Sequence, residues 1–356
     1  MFRAISVAFL PLLSLATSAL AQAPTDEHIA GYATAVLERE FHVPSALVRV
    51  ESGVLWVDGA NLDAATRARA RQVLGHIPGV LRVEIAEGPP LGTSPGSARS
   101  VAETPGISWL SRTPLVFEPL HADPRWPHFS ASYELYRGND DLGRVGAARF
   151  GESFSLYRNS TKKEQWDIGL QAGVFAIFDL DAKSADLVNA DYFFGPAFAW
   201  RRGAWSALGR VYHQSSHLGD EYLLRTGAPR LNISYEVLDA LVSWDATDAL
   251  RLYAGGGWLM HTDTPLERWI VEAGAELFGP ALSGAVRPLV ALDVQSRQQN
   301  DWSRDTSVRA GIQIEDPGAK GMRMQVLLEY YRGRSPNGQF FEHDIEFYGL
   351  GVHFYF

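Results

Sequence analysis

The carboxyl-terminal two thirds of the chain alternates apolar and polar side chains, and that period restricts the fold more than any other feature. In the last stretch Tyr348, Leu350, Val352, Phe354 and Phe356 share one parity, and Gly349, Gly351 and His353 the other. One stretch earlier, Met322, Met324, Val326, Leu328 and Tyr330 oppose Arg323, Gln325 and Glu329. Before that, Val308, Ala310, Ile312 and Ile314 oppose Arg309, Gln313 and Glu315. A period of two is that of a strand with differently solvated faces. Rows of charge are tolerable in a barrel lumen and costly against lipid.

Twelve such segments are expected, near 129–136, 145–157, 165–178, 188–201, 205–217, 232–244, 249–261, 268–278, 285–295, 306–315, 322–332 and 345–356. An even number suits a bacterial barrel. The expected fold is therefore mainly β, a twelve-stranded antiparallel transmembrane β-barrel preceded by a small α+β domain. A soluble sandwich alternates in the same way and stays open as an alternative. Pro196 and Pro288 fall inside expected strands, where each removes a ladder donor. Either those strands bulge or the boundaries lie elsewhere.

Met1 to Ala23 reads as a signal peptide, with Arg3, an apolar core over Ala4 to Leu15 and a small-residue cleavage site at Ala19-Leu20-Ala21 or Ala21-Gln22-Ala23. Past it no run of 18 apolar residues occurs, so no membrane helix is expected. The chain has no cysteine, which excludes disulfides and a lipid-anchored amino terminus. A net charge of −9 disfavours nucleic acid as a partner. Forty-one aromatic residues (10 Trp, 13 Tyr and 18 Phe) with a mean hydropathy near zero fit a membrane barrel.

Residues 26–87 read as a domain of their own. Ile29, Tyr32, Ala33, Val36, Leu37 and Phe41 have helical spacing, capped by Thr25 or Asp26, and Val48 to Gly59 forms a hairpin turning at Ser52-Gly53. A second helix follows over Ala64 to Ile77, then a strand over Gly79 to Ala86. Through Val48–Gly59 and Gly75-His-Ile-Pro-Gly-Val-Leu-Arg-Val-Glu-Ile85 this unit resembles the BON domain of bacterial envelope proteins. The resemblance implies a periplasmic module that contacts phospholipid or another envelope protein; a folded spacer without a ligand is the alternative. Residues 88–107, rich in Pro, Gly, Ser and Ala, read as a linker, and 108–356 as the barrel.

Leu115-Val-Phe-Glu-Pro-Leu-His-Ala-Asp-Pro-Arg-Trp-Pro-His-Phe-Ser-Ala131 and Tyr212-His-Gln-Ser-Ser-His-Leu-Gly-Asp-Glu-Tyr-Leu-Leu-Arg225 resemble a family of outer-membrane proteins known only as a domain of unknown function. The resemblance runs from about Ser108 to the end and implies an address without an activity. The closing Tyr348–Phe356 is similar to the signal by which outer-membrane barrels engage their assembly machinery. With both termini in the periplasm, the short links at 201–204 and 245–248 fall inside. The longer ones at 218–231, 296–305 and 333–344 fall outside.

The second motif concentrates reactive side chains. In the fifth expected barrel strand His213 and Ser215 share the parity of Ala207, Gly209 and Val211, the lipid-facing one, while Arg210 marks the lumen. In the sixth strand Trp244, Val242, Ala240 and Leu238 carry that parity back to Asn232. A serine becomes nucleophilic beside a base, and the base needs an orienting partner. Ser215 is the candidate nucleophile, His213 the base and Asn232 the orienter.

His213-Gln214-Ser215 resembles the catalytic stretch of outer membrane phospholipase A, and lipid A deacylases use a similar His-x-Ser pair. Ser216-His217 replaces the Asn-Gly of the phospholipase. Asp220 and Glu221 in the adjoining loop are oxygen ligands for calcium or a lipopolysaccharide-bridging cation, and the resemblance implies a calcium ion near the oxyanion site. Two solvated loop acids are the alternative, as is a transition metal held by His213 and His217 with one of those acids.

Two functional expectations follow. One is a serine hydrolase acting on acyl esters of outer-membrane lipid. The other is a non-enzymatic barrel, a narrow channel or a structural component, in which Arg287, Asp293, Arg309, Glu315, Arg323 and Glu329 form a salt-bridged plug or a channel lining.

Overall fold

A computed structural model of the chain describes residues 25–41, 48–51, 53–58, 62–86, 106–110, 115–138, 142–282, 285–315 and 322–356. These fall into two compact units divided after Ser94. The expected signal peptide, Ser52 of the first hairpin turn and residues 88–105 of the expected linker lie outside the described residues.

The first unit has helices α1 (Asp26–Phe41) and α2 (Ala64–Leu74) and strands β1 (Val48–Glu51), β2 (Val54–Asp58) and β3 (Arg82–Ala86). β1 pairs antiparallel with β2, and β2 parallel with β3. Apolar positions at helical spacing in α1 (Ile29, Ala33, Leu37) and in α2 (Ala70, Leu74) close over Leu55, Val57 and Ile85. Asp63 caps α2, accepting the Thr66 backbone N–H at 2.7 Å. That bond holds its carboxyl below the usual range. The second helix ends three residues before its expected limit and β3 begins three after. The intervening turn carries Pro78, which has no donor, and Gly79 at φ +92°.

In the second unit twelve strands close into an antiparallel barrel: β5 (Phe129–Arg137), β6 (Arg144–Ser160), β7 (Gln165–Asp179), β8 (Asp186–Arg202), β9 (Trp205–Leu218), β10 (Ile233–Asp245), β11 (Leu250–Thr262), β12 (Trp269–Phe278), β13 (Val286–Arg297), β14 (Arg304–Glu315), β15 (Arg323–Arg334) and β16 (Asp344–Tyr355). The ring closes where Phe354 of β16 pairs with Phe129 of β5. No boundary lies more than three residues from its expected place. A short strand β4 (Gly106–Trp109) adds to the carboxyl-terminal end of β6, so Gly106 and Ile107 of the expected linker are in the sheet.

Both prolines are accommodated. Pro288 lies one residue past the last β12–β13 pair and offers only its carbonyl, to Gly279 N at 2.9 Å. At Pro196 the β8–β9 ladder is interrupted between the pairs Phe194–His213 and Ala197–Arg210. Gly195 is needed there, since a Cβ would lie 2.1 Å from the Val211 carbonyl oxygen.

The parity expected from the sequence is the parity of the wall. Phe194, Phe198, Val211, Leu238, Val242 and Trp244 are exposed on the outside, and Arg149, Arg158, Asp167, Arg210, Asp239, Arg251, Arg309 and Glu329 are buried within.

Candidate active site on the barrel wall

Inside the barrel, residues 115–128 form a plug held by ion pairs and hydrogen bonds to the wall. Val116 N donates to Asp167 at 2.5 Å, Arg323 to the Glu118 carboxylate at 2.8 Å, and Arg251 to the Glu118 and Pro119 carbonyls at 2.9 Å each. His121 N donates to Glu276 at 2.7 Å, and Arg309 to the His121 carbonyl at 2.7 Å. His128 Nε2 lies 2.9 Å from His353 Nδ1, whose ring meets Glu329 at 2.6 Å. At the other end Asp191 pairs with Arg125 of the plug at 2.9 Å and accepts Gly338 N of the 335–343 loop at 3.0 Å. Gln339 of that loop donates to the Ser216 and Leu231 carbonyls at 2.8 and 2.9 Å. Plug and loop therefore meet at one carboxylate and fill the lumen between them.

Of the sequence-expected luminal charges, Arg309 lies 3.7 Å from Glu329, Arg323 holds Glu118, and Asp293 accepts Tyr253 OH at 2.7 Å. Among the described residues the group able to offer three metal ligands is Asp123, Glu272 and Asp293, whose candidate atoms lie within 4.8 Å of one another in the lumen. Asp220 and Glu221 instead open the short helix α3 (Asp220–Thr226) and are exposed.

The outer wall carries a different arrangement. His213, Ser215 and His217 project outward from β9, with Gln214 and Ser216 buried between them. One hydrogen bond sets the kind of each pair. Asp245 N donates to Ala204 O at 2.8 Å, so β9 residues of even number exchange hydrogen bonds with β10, and the odd ones form the non-bonded pairs, in which side chains stand closest. His213 with Glu236 and Ser215 with Ser234 are two such pairs.

His213 Nδ1 accordingly meets Glu236 Oε1 at 2.9 Å. An imidazole that donates from Nδ1 to a carboxylate presents Nε2 as a base. Ser215 is two residues along the same face, about 7 Å from Cα to Cα.

Asn232 does not stand opposite His213. It precedes β10, next to the pair Ile233–Ser216, and is four residues, roughly 13 Å along the strand, from the partner of His213. Its carbonyl accepts Thr264 Oγ1 at 2.7 Å. The residue that contacts His213 is Glu236, which the sequence reading did not single out. Its signal was an acid at the outward parity of Leu238, Ala240 and Val242.

Depth follows from strand geometry. Trp205 and Trp244 stack at 5.8 Å near the end of the barrel that holds Phe129 and Phe354. His213 is eight residues up β9, roughly 20 Å along the barrel axis at a tilt of about 40°. The apolar band of such barrels is about 25 Å tall, so the pair lies near its far border. One row below it, Val211, Leu238, Trp258 and Trp269 form a cross-strand row of apolar and aromatic side chains.

The fold is thus an outer-membrane type of β-barrel with a filled lumen and a polar patch on its outer face. The chain belongs to the family described as protein of unknown function DUF1207, whose model matches residues 40–356. No curated protein matches it. Similar solved structures include outer membrane phospholipase A from Escherichia coli, with 11% identity and a TM-score of 0.44 over 66% of this chain and 92% of that one. The outer membrane phospholipase dimer of Salmonella typhi with bound calcium has 11% identity and a TM-score of 0.45, over 64% and 91%. The KdgM porin has 7% identity and a TM-score of 0.36, over 64% and 98%.

Proposed function

We propose that the protein is a serine acyl-ester hydrolase of the bacterial outer membrane, acting on lipid of the outer leaflet. Ser215 is the nucleophile, His213 the general base and Glu236 the group that orients and charges the base. The observation that carries this reading is the 2.9 Å contact of His213 with Glu236, two residues from a serine on the lipid-facing wall. The filled lumen supports it over a channel.

His213 Nε2 takes the Ser215 proton as Oγ attacks the ester carbonyl. The tetrahedral intermediate collapses, the C–O bond breaks, and His213 returns the proton to the departing alcohol, the lysolipid. Water, deprotonated by His213, then attacks the acyl–Ser215 ester; the acyl C–Oγ bond breaks, His213 returns the proton to Ser215 Oγ, and the fatty acid leaves. Glu236 stabilises the imidazolium formed in each half. In this reading the termini and the BON-like unit, residues 26–87, are periplasmic, and that unit contacts phospholipid or an envelope protein.

The test is fatty-acid release from phospholipid and from lipid A by the refolded protein, with and without calcium. Release by the wild type, abolished in a folded Ser215→Ala variant, is expected. Absence of release from either lipid under both conditions would sink the reading.

A further inference from the structure

An ester hydrolase must stabilise the oxyanion of its tetrahedral intermediate, and backbone N–H groups are the common donors. Here the wall itself withholds them. Gly219 N donates to Val188 O at 3.1 Å, so β9 residues of odd number bond to β8, as those of even number bond to β10. By that alternation the amides of His213, Ser215 and His217 serve the carbonyls of Phe194, Tyr192 and Ala190. Those of Gln214 and Ser216 serve Tyr235 and Ile233. A nucleophile in mid-strand of a closed sheet has no free amide beside it, so a donor supplied by the protein is a side chain.

Besides His213, three outward side chains neighbour Ser215. Tyr192 and His217 face each other ring to ring, with centroids 5.7 Å apart at 70°. Ser234 is the residue directly opposite on β10, in a non-hydrogen-bonded pair, where Cβ atoms stand about 4.5–5.5 Å apart. Its hydroxyl is a rotatable donor, half-buried in the wall, and it lies one pair above Glu236 on the same face.

We propose that Ser234, through its hydroxyl, is the oxyanion donor of this site, so that nucleophile and oxyanion donor are a cross-strand serine pair. The inference rests on the hydrolase reading. When Ser215 Oγ bonds to the ester carbon, the carbonyl oxygen becomes the oxyanion and accepts the Ser234 O–H. No proton is transferred there, and the bond is released as the carbonyl reforms. The donor is aimed at charge that exists only in the intermediate, so its loss lowers kcat and leaves KM in place.

The experiment compares wild type, Ser234→Ala and Ser234→Thr with a dispersed medium-chain ester, together with inhibition by an alkyl boronic acid. Boronate on Ser215 imitates the tetrahedral intermediate. Ser234→Ala is expected to lower kcat about 100- to 1,000-fold with KM within twofold. It is also expected to weaken the boronate by a similar factor and to leave the pH profile unmoved. Ser234→Thr, which keeps the hydroxyl, restores kcat to within about tenfold of wild type. An active Ser234→Ala with kcat near wild type, or with unchanged boronate inhibition, overturns the inference and leaves the hydrolase standing. Hydrolysis absent from the wild type overturns both.

Discussion

Strands β9 and β10 carry two acid–base pairs on opposite faces of one stretch of wall, and they are built differently. Inward, Arg210 meets Asp239 through Nε at 3.0 Å to both carboxylate oxygens. It also bonds Gln171 at 3.1 Å and lies 5.3 Å over the Trp126 ring. Both residues are buried. Outward, His213 meets Glu236 through a single 2.9 Å bond, with side chains 46% and 35% exposed. An exposed pair contributes about 0–1 kcal/mol, so stability does not explain the second pair. A buried charge, by contrast, must keep its partner. The inner pair joins β9 to β10 with Arg210 held over the plug's Trp126 ring, and the outer pair leaves one imidazole nitrogen available beside a serine.

That contrast can be broken from either face. The largest effect is expected from Glu236→Ala, which should lower ester turnover about 10,000-fold by freeing the imidazole from its productive tautomer, with the unfolding midpoint in detergent unchanged. Comparable loss of turnover and of stability would mean that the outer pair is structural after all. Asp239→Ala should do the reverse. It leaves Arg210 buried without its carboxylate and should destabilise the barrel by about 3–5 kcal/mol in denaturant titration. A barrel of wild-type stability would remove the distinction between the two faces. Least of all should follow from Asn232→Ala, whose turnover should stay within about twofold of wild type, the scatter usual for a surface substitution. A large loss there would return the orienting role to Asn232.

The barrel was legible because a period of two runs along most of each strand, interrupted only locally as at the β6 shift between Ser155 and Tyr157, and the outward parity of His213 and Ser215 was legible for the same reason. The third member of the site was not. Which β10 residue faces His213 depends on how 219–232 crosses between the strands, and that crossing contains helix α3, whose length and C-terminal Gly227 at φ +68° set the register. Counting back along β10 to an asparagine therefore stopped four residues past the acid that makes the contact.

The plug was illegible for another reason. Residues 115–128 have no period. They are held by partners far away in sequence, such as Arg323 on Glu118, 205 residues apart. Luminal arginines and acids could be read as lumen-facing, but whether they lined water or a peptide segment was a matter of long-range pairing.

The account stands on the claim that Ser215 is an activated nucleophile, and the most direct measurement needs no knowledge of the natural lipid. The folded protein is treated with a fluorophosphonate and the labelled peptide is identified by mass. The account predicts one adduct, on Ser215, formed by the wild type and lost in His213→Gln while the barrel stays folded. No adduct on Ser215, or one that forms equally in both proteins, would contradict it.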